Sequence, residues 1–270
     1  MTNLIKRTIT GLLFSVTLLL AFFFSEYSMM GIVVVIAVLS LLEYFNIIKR
    51  LKIKPLSIAG IIVTVYALII TFLYIKGIIT VDLLIIAIPL VFLLFILSMF
   101  SKTELPFEDV SATVFSLLHV VVPLVLLIFL CFITGEYEYR IITGIFLLIW
   151  TNDVFAYLIG ISIGKHKLFP RISPKKSWEG FFGGLLFCCG ASQIIATQWI
   201  IISHIEWLIL SIIVAIAGPL GDLFESLIKR QADVKDSGVL LPGHGGILDR
   251  FDSLFMVMPF AFPYIYYVIK

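Results

Sequence analysis

Residues 56–75 read LSIAGIIVTVYALIITFLYI, a run of twenty residues without a charged side chain. A helix needs roughly 20 apolar residues to cross about 30 Å of hydrocarbon. Runs of this kind recur from end to end in a chain of 270 residues that is 61% hydrophobic and 13% charged. An average soluble domain is about 25% charged. The pattern therefore predicts an integral membrane protein.

The apolar runs are long and continuous rather than short and alternating, which favours helices over a barrel. The first run follows two basic residues but lacks a small-residue cleavage site, so we expect a retained anchor rather than a signal peptide. We predict an all-α polytopic membrane protein with about nine transmembrane helices, at residues 8–25, 28–48, 56–75, 78–100, 110–133, 141–163, 180–202, 205–224 and 253–269.

Basic residues predict the orientation, because Lys and Arg near the ends of a span resist translocation. With the N-terminus on the cytoplasmic side, sixteen Lys and Arg residues lie on that side and three on the other, together the nineteen of the chain. The predicted C-terminus is outside, and the polar loops 164–179 and 225–252 face the cytoplasm.

The two halves of the chain differ in their polar content. We predict that residues 1–140 form a scaffold of transmembrane helices and that residues 141–270 form a catalytic region within the same membrane domain. In the first half, Glu43, Asn46 and His119 are isolated polar residues in apolar helices. We interpret them as hydrogen-bonded packing groups, because that is the commoner state of a lone polar residue in such a place.

The most polar stretch, at residues 229–252, reads KRQADVKDSGVLLPGHGGILDRFD. If the preceding helix continues beyond Asp222, then Asp222, Glu225, Ser226 and Lys229 share one face. If the last helix begins near Leu248, Asp249 and Asp252 share a face too. Carboxylate oxygens without thiolates suit a hard cation, Mg²⁺ before any transition metal.

Basic side chains and glycines surround these carboxylates. Mg²⁺ commonly joins protein carboxylates to substrate phosphates, which Lys229, Arg230 and Lys235 could neutralise. Gly245 and Gly246 would let backbone N–H groups approach an anion closely. The alternative is a salt-bridged solvated loop, and we favour the phosphate site because Asp222 lies at the membrane boundary.

A second basic loop precedes the predicted helix at residue 180. Lys175, Lys176 and the Ser177 hydroxyl lie where free N–H groups at the start of a helix attract anions. An ordinary positive-inside flank would explain the lysines alone. We expect contact with a substrate phosphate.

Other motifs point elsewhere. Ala156, Gly160 and Gly164 recur at four-residue intervals, which predicts a close helix–helix contact rather than a nucleotide-binding loop. The sequence has no HExxH or GxSxG motif and no Cys/His ligand set, so zinc or serine hydrolysis has no support.

The polar residues of the second half resemble the phosphatidate cytidylyltransferase family, whose members are also called CDP-diacylglycerol synthases. The signature covers about 27 of the 270 residues. It consists of Ser226, Lys229, Arg230, Lys235, Asp236, Gly238, Pro242, His244, Gly245, Gly246, Asp249, Arg250 and Asp252. The resemblance extends upstream to Asn152, Asp153, Ala156, Tyr157, Gly160 and the segment Ser173–Gly180.

The resemblance implies that CTP and phosphatidate react to CDP-diacylglycerol and pyrophosphate, with Mg²⁺, at a cytoplasm-facing site in the cell membrane. It implies a homodimer and no nucleic acid partner. The expected cation ligands are Asp222 and Asp249, with Asp252 as a third ligand or a supporting partner, and a second cation is compatible with these residues.

The remaining residues receive roles in substrate binding. Lys229, Arg230 and Lys235 would hold the triphosphate, with Arg250 joining them or pairing with an aspartate. Asn152 and Asp153 are equally compatible with metal or ribose contacts and with a polar seam between helices. The remaining expected contacts with substrate phosphates are those of Ser226, Lys175, Lys176 and Ser177. His244 would hydrogen-bond a phosphate or protonate the leaving pyrophosphate.

Two alternatives remain at this point. A CTP-dependent kinase of a polyprenol-type lipid alcohol would need the same nucleotide and metal site. An ion-coupled transporter would be expected to place its polar groups near the membrane midplane, whereas this chain concentrates them at one end.

Overall fold

A computed structural model describes residues 3–238 and 245–270, with side chains described from residue 9 onward. The fold is almost wholly helical, as predicted. The helices are α1 Asn3–Phe24, α2 Glu26–Lys49, α3 Ser57–Ile75, α4 Val81–Ile85, α5 Ala87–Met99, α6 Pro106–Ser116, α7 Val122–Leu130, α8 Arg140–Ile163, α9 Trp178–Gln198, α10 His204–Gln231 and α11 Leu248–Ile269.

Within the described ranges, eight helical segments are long and apolar enough to cross a membrane. They correspond to the second to ninth predicted spans, with α4 and α5 together forming one and α6 and α7 another. The apolar part of α1 that is described, Ile9–Phe24, is shorter. Its crossing of the membrane, and the sidedness of both termini, stay predictions.

Two predicted spans are interrupted near their prolines. A proline lacks the N–H that would bind the carbonyl four residues earlier, so the helix is disturbed there. Helix α4 ends at Ile85, four residues before Pro89, and a π-helical turn at Leu117–Val121 precedes Pro123. Helical geometry is therefore locally broken near Pro89 and Pro123.

The chain packs as two compact units. The first unit comprises Met1–Phe129 and Gln231–Phe251, and the second comprises Leu130–Arg230 and Asp252–Lys270. The predicted boundary near residue 140 is close to one of these divisions. The structure adds that residues 231–251 pack with the first half of the chain, although the sequence places them between two helices of the second.

In the first unit, the segment between α2 and α3 is tied to α6. The Lys54 N–H donates to Asp109 Oδ1 at 2.6 Å, and the Leu56 N–H donates to Thr113 Oγ1 at 2.9 Å. Asp109 and Thr113 are buried, so these bonds satisfy polar groups that would otherwise be costly in the core. They hold the start of α3, because Leu56 immediately precedes that helix.

In the second unit, α8 and α9 approach through small residues. A Cβ added to Gly180 would lie 2.6 Å from the Ala156 carbonyl oxygen and 3.2 Å from the Gly160 Cα. The predicted close helix contact at Ala156 and Gly160 is therefore confirmed.

The segment between α8 and α9 was predicted as a loop, but it contains a short antiparallel hairpin. Strand β1, Lys167–Phe169, pairs with strand β2, Ser173–Ser177. The hairpin holds the two lysines of the second basic loop on an extended backbone that leads directly into α9.

The contact between Gly144 and Trp207 gives a stability prediction. A Cβ at Gly144 would lie 2.7 Å from Cζ3 of Trp207, a ring that is fully buried. Overpacking a core lowers the free energy of unfolding by about 1–3 kcal/mol. Gly144→Ala should therefore lower the melting temperature in detergent by several degrees.

Gly190→Ala is the matched control, since Gly190 lies in α9 with no atom within 4 Å of the added Cβ. Thermal unfolding of both variants followed by tryptophan fluorescence would check the prediction. Equal melting temperatures for the two variants would contradict it.

Candidate active site

Helix α10 carries a polar face at its C-terminal end. Ser226 Oγ donates to Asp222 Oδ1 at 3.2 Å, and Lys229 Nζ lies 3.1 Å from Glu225 Oε1. The helix runs to Gln231, beyond the predicted end of the span at residue 224. The prediction that these four side chains share one face is confirmed.

Glu225 and Lys229 form a buried ion pair within that face. Their side chains are 1% and 10% exposed. Removing one partner of such a pair leaves an uncompensated charge in a poorly solvated place. Lys229, predicted to bind the triphosphate, is therefore held beside a carboxylate that the sequence analysis did not assign to the site.

Strand β2 brings Lys176 to Asp222. Lys176 Nζ lies 2.7 Å from Asp222 Oδ2 and donates to the Pro219 carbonyl oxygen at 3.1 Å. Lys175 is exposed on the same strand. The sequence did not distinguish the two lysines, whereas in the structure Lys176 contacts the acidic face of α10.

Ser177 has a structural task at the start of α9. It is buried, and its Oγ accepts from the Gly180 N–H at 3.2 Å, which caps the helix. The same hydroxyl was predicted to contact a phosphate, and that contact stays a prediction.

Asp252 is the fifth residue of α11, just past its first turn, and is buried. Its backbone carbonyl packs directly against Gly221, where an added Cβ would collide with it. Helix α11 therefore approaches α10 beside Asp222. The charges of Asp222 and Asp153 act on the Asp252 carboxyl, which places three acidic groups in one electrostatic neighbourhood.

The carboxylates of this neighbourhood fit only a partial set of cation ligands. No group of three His, Cys, Asp or Glu side chains in residues 3–238 and 245–270 lies in an arrangement for a metal ion. Mg²⁺ is usually held by one or two carboxylates together with waters and substrate phosphates. Asp222 and the buried Asp252 could supply these one or two carboxylates. The Asp222 side chain is 42% exposed, so waters and a substrate phosphate can reach it.

Asn152 lies nearby on α8, and its Oδ1 is buried without a hydrogen-bond partner, packed against Gly184. Asp153 is exposed. The alternatives left open for these two residues, a ligand contact or a polar seam, both stay predictions.

In the first unit, Asp249 binds the backbone on both sides of the turn at Gly245 and Gly246. Its Oδ2 accepts from the Ser237 N–H at 2.9 Å and from the Gly246 N–H at 2.8 Å. Gly245 has φ +80°, a conformation that favours glycine. The Gly246 N–H, predicted to approach a phosphate, is thus engaged by Asp249. The phosphate contact and the role of Asp249 as a cation ligand stay predictions.

Helix α11 begins at Leu248, as expected, and the charged side chains around the turn are largely exposed. Predicted phosphate ligands with exposed side chains are Arg230, Lys235 and Arg250. His244 and Pro242 lie outside the described residues.

Glu43 on α2 was not predicted to belong to the site, although it is bound to this same turn. Its Oε2 accepts from Ser237 Oγ and from the Leu248 N–H, both at 2.8 Å, and its Oε1 accepts from the Ile247 N–H at 3.0 Å. The interpretation of Glu43 as a hydrogen-bonded group is confirmed. The only sequence signal was an acidic residue in an apolar helix.

The chain matches a known protein family and is similar to individual proteins of known name. A model described as "Cytidylyltransferase family" matches residues 5–268. A phosphatidate cytidylyltransferase of Staphylococcus epidermidis is 38% identical over 236 residues, which cover 82% of this chain and 84% of that protein. The enzyme of the same name from Bacillus subtilis is 50% identical over 115 residues, 42% of this chain and 43% of that protein.

Proposed function

The chain belongs to the cytidylyltransferase family, and we propose its reaction on that basis. The protein is an enzyme that transfers the cytidylyl group of CTP to phosphatidate, and the products are CDP-diacylglycerol and pyrophosphate. The observation that carries this conclusion is the similarity to phosphatidate cytidylyltransferases over most of the chain and most of the relative.

The chemistry requires little acid–base help from the protein. The phosphatidate phosphate is ionised at neutral pH, so its oxygen can attack the α-phosphorus of CTP directly. A new P–O bond forms as the bond from the α-phosphorus to the bridging oxygen breaks, and the electron pair leaves with pyrophosphate. Catalysis then depends on positioning the two substrates and neutralising their charge.

Asp222 and Asp252 would hold Mg²⁺ in the second unit, because a partly exposed and a buried carboxylate lie there in mutual electrostatic range. When bound, the cation would neutralise phosphate oxygens and orient the α-phosphate. A second cation remains part of the proposal. Asp153, whose charge also acts on Asp252, would add to the negative potential that attracts a cation.

Basic side chains would receive the remaining phosphate charge. Lys176 is held by Asp222, and Lys229 is held by Glu225, so each ammonium is already fixed by a carboxylate. A fixed cation loses less side-chain entropy when a phosphate arrives. Arg230, Lys235 and Arg250, which are exposed, would contact the triphosphate with less preorganisation.

The protein is a membrane protein, and the relatives named above are bacterial. We propose that it resides in the cytoplasmic membrane, with the site facing the cytoplasm where CTP is found. The excess of basic residues on that side of the predicted topology supports this orientation. A homodimer is proposed on the family resemblance alone.

One assay tests the function. Purified protein in detergent is incubated with labelled CTP, phosphatidate and Mg²⁺, and both products are identified. We expect CDP-diacylglycerol and pyrophosphate in equal amounts, with turnover lost when the metal is chelated. A lipid phosphate with CDP, formed from a lipid alcohol, would instead identify a kinase and overturn the proposal.

A further inference from the structure

Glu43 is a buried carboxylate near the end of α2, with 6% of its surface exposed. Both oxygens accept hydrogen bonds, and the three donors belong to Ser237, Ile247 and Leu248. We refer to the described residues 237–238 and 245–248 as the segment. Burying an ionised carboxylate is costly unless it is well hydrogen-bonded. The segment therefore supplies what Glu43 needs, and Glu43 in turn restrains the segment.

The contact also satisfies the start of α11. The first N–H groups of a helix lack partners within the helix, and a negative charge near them is favourable. The N–H groups of Ile247 and Leu248 both point to Glu43. A side chain from a helix about 200 residues earlier thus caps α11 immediately before Asp249.

Glycines allow the carboxylate to come this close. A Cβ at Gly238 would lie 2.5 Å from Glu43 Oε1, and a Cβ at Gly246 would collide with Glu43 Oε2 and Ser237 Oγ. Larger residues at these positions would push the segment away from α2. The glycines of the turn thus have a packing reason that is independent of any substrate.

Two carboxylates hold the same two residues of the segment. Ser237 donates its hydroxyl to Glu43 and its N–H to Asp249, and Gly246 packs on Glu43 while it donates its N–H to Asp249. Any shift of the segment away from Glu43 must therefore also change the hydrogen bonds that orient the Asp249 carboxylate.

We propose that Glu43 is a positioning residue of the enzyme: it anchors Ser237, Ile247 and Leu248 to α2 and thereby sets the place of Asp249, which the sequence predicts as a cation ligand. The inference rests on the proposed function for its kinetic readout, although the anchoring itself is a statement about local structure. The anchoring carboxylate lies in the part of the chain that the sequence predicted to be scaffold.

The test compares Glu43→Gln with Glu26→Gln. Glutamine keeps the volume, but whichever way its amide turns, an NH₂ group faces a backbone N–H that previously donated to oxygen. Glu26 lies at the other end of α2, where its Oε1 is 2.7 Å from Lys76 Nζ, so the control removes a carboxylate charge from the same helix.

Limited trypsin cleavage measures the anchoring, and steady-state kinetics measures its consequence. Lys235 is exposed beside the segment, and Lys102, exposed between α5 and α6, is the internal reference site. The Lys235 side chain is exposed, but cleavage after it requires the backbone near Ser237 to open, so its rate follows the population of the open form. In Glu43→Gln we expect cleavage after Lys235 to rise about tenfold relative to Lys102, since a hydrogen bond to a charged group is lost.

In the same variant, kcat should fall about tenfold while the KM for CTP changes by less than about threefold, because the loss concerns orientation rather than substrate contact. Glu26→Gln should leave both readouts unchanged. Ser237→Ala, which removes one donor and keeps both backbone bonds to Glu43, should shift both readouts in the same direction by a smaller factor.

A ratio of cleavage at Lys235 to cleavage at Lys102 that is the same in Glu43→Gln as in the wild type would overturn the proposal, because cleavage would then report only a general loss of folded protein. If Glu43→Gln does not fold, Ser237→Ala carries the test, and an unchanged cleavage ratio in that variant has the same meaning. If the wild type forms no CDP-diacylglycerol, the proposed function fails, while the cleavage ratio still decides whether Glu43 anchors the segment.

Discussion

Asp222→Asn should reduce CDP-diacylglycerol formation by roughly 10³-fold, at the upper end of what loss of one preorganised electrostatic partner costs an enzyme. Asparagine keeps the shape of the side chain and can still accept from Ser226, so α10 should remain intact. It removes the negative charge that pairs with Lys176 and that would hold Mg²⁺ beside Asp252. Radiolabelled product formation over a range of Mg²⁺ concentrations measures the effect.

Asp82→Asn is the matched control for this variant. Asp82 is exposed in the short helix α4 and accepts from Thr80 Oγ1 at 2.9 Å. The same substitution there should leave turnover unchanged. Near-wild-type turnover of Asp222→Asn at low Mg²⁺, in protein that elutes and melts normally, would show that Asp222 does not hold the cation.

Lys176→Met should lower kcat/KM by roughly 10²-fold, whereas Lys175→Met should lower it only a few-fold. Methionine retains most of the length of the side chain but removes the ammonium that lies between Asp222 Oδ2 and the Pro219 carbonyl. Lys175 is exposed one residue earlier on β2, so the pair separates a fixed charge from a general electrostatic effect. Initial rates at subsaturating CTP measure both.

A double variant sharpens the same test. If Lys176 acts through its pairing with Asp222, then Lys176→Met should cost much less in an Asp222→Asn background, because contacting residues are not additive. Equal losses for Lys175→Met and Lys176→Met, or full additivity with Asp222→Asn, would mean that the contact with Asp222 has no part in catalysis.

Much of the fold was predictable because, in a membrane, the structure of each span depends mainly on its own residues. Within lipid each backbone group needs a partner in its own helix, so an apolar run of sufficient length specifies its own structure. The breaks near Pro89 and Pro123 are equally local. The hairpin of β1 and β2 was missed because its strands are short and carry no alternating apolar pattern.

The candidate site was predictable in its residue types and only partly in its arrangement. Helical spacing alone placed Asp222 beside Ser226, and Glu225 beside Lys229, and the structure agrees. Spacing could not distinguish Lys175 from Lys176, since that depends on which way an unpredicted strand turns its side chains. Nor could it connect Glu43 to Ser237, because that contact joins residues 194 positions apart.

The sequence by itself therefore determined an all-helical membrane protein and the family to which it is similar. These follow from composition, from periodicity and from a contiguous set of polar residues. Only the tertiary structure decided which lysine pairs with Asp222 and that residues 231–251 pack with the first half of the chain. The physical reason is that a buried carboxylate such as Glu43 must find its hydrogen-bond donors in space, wherever the chain brings them.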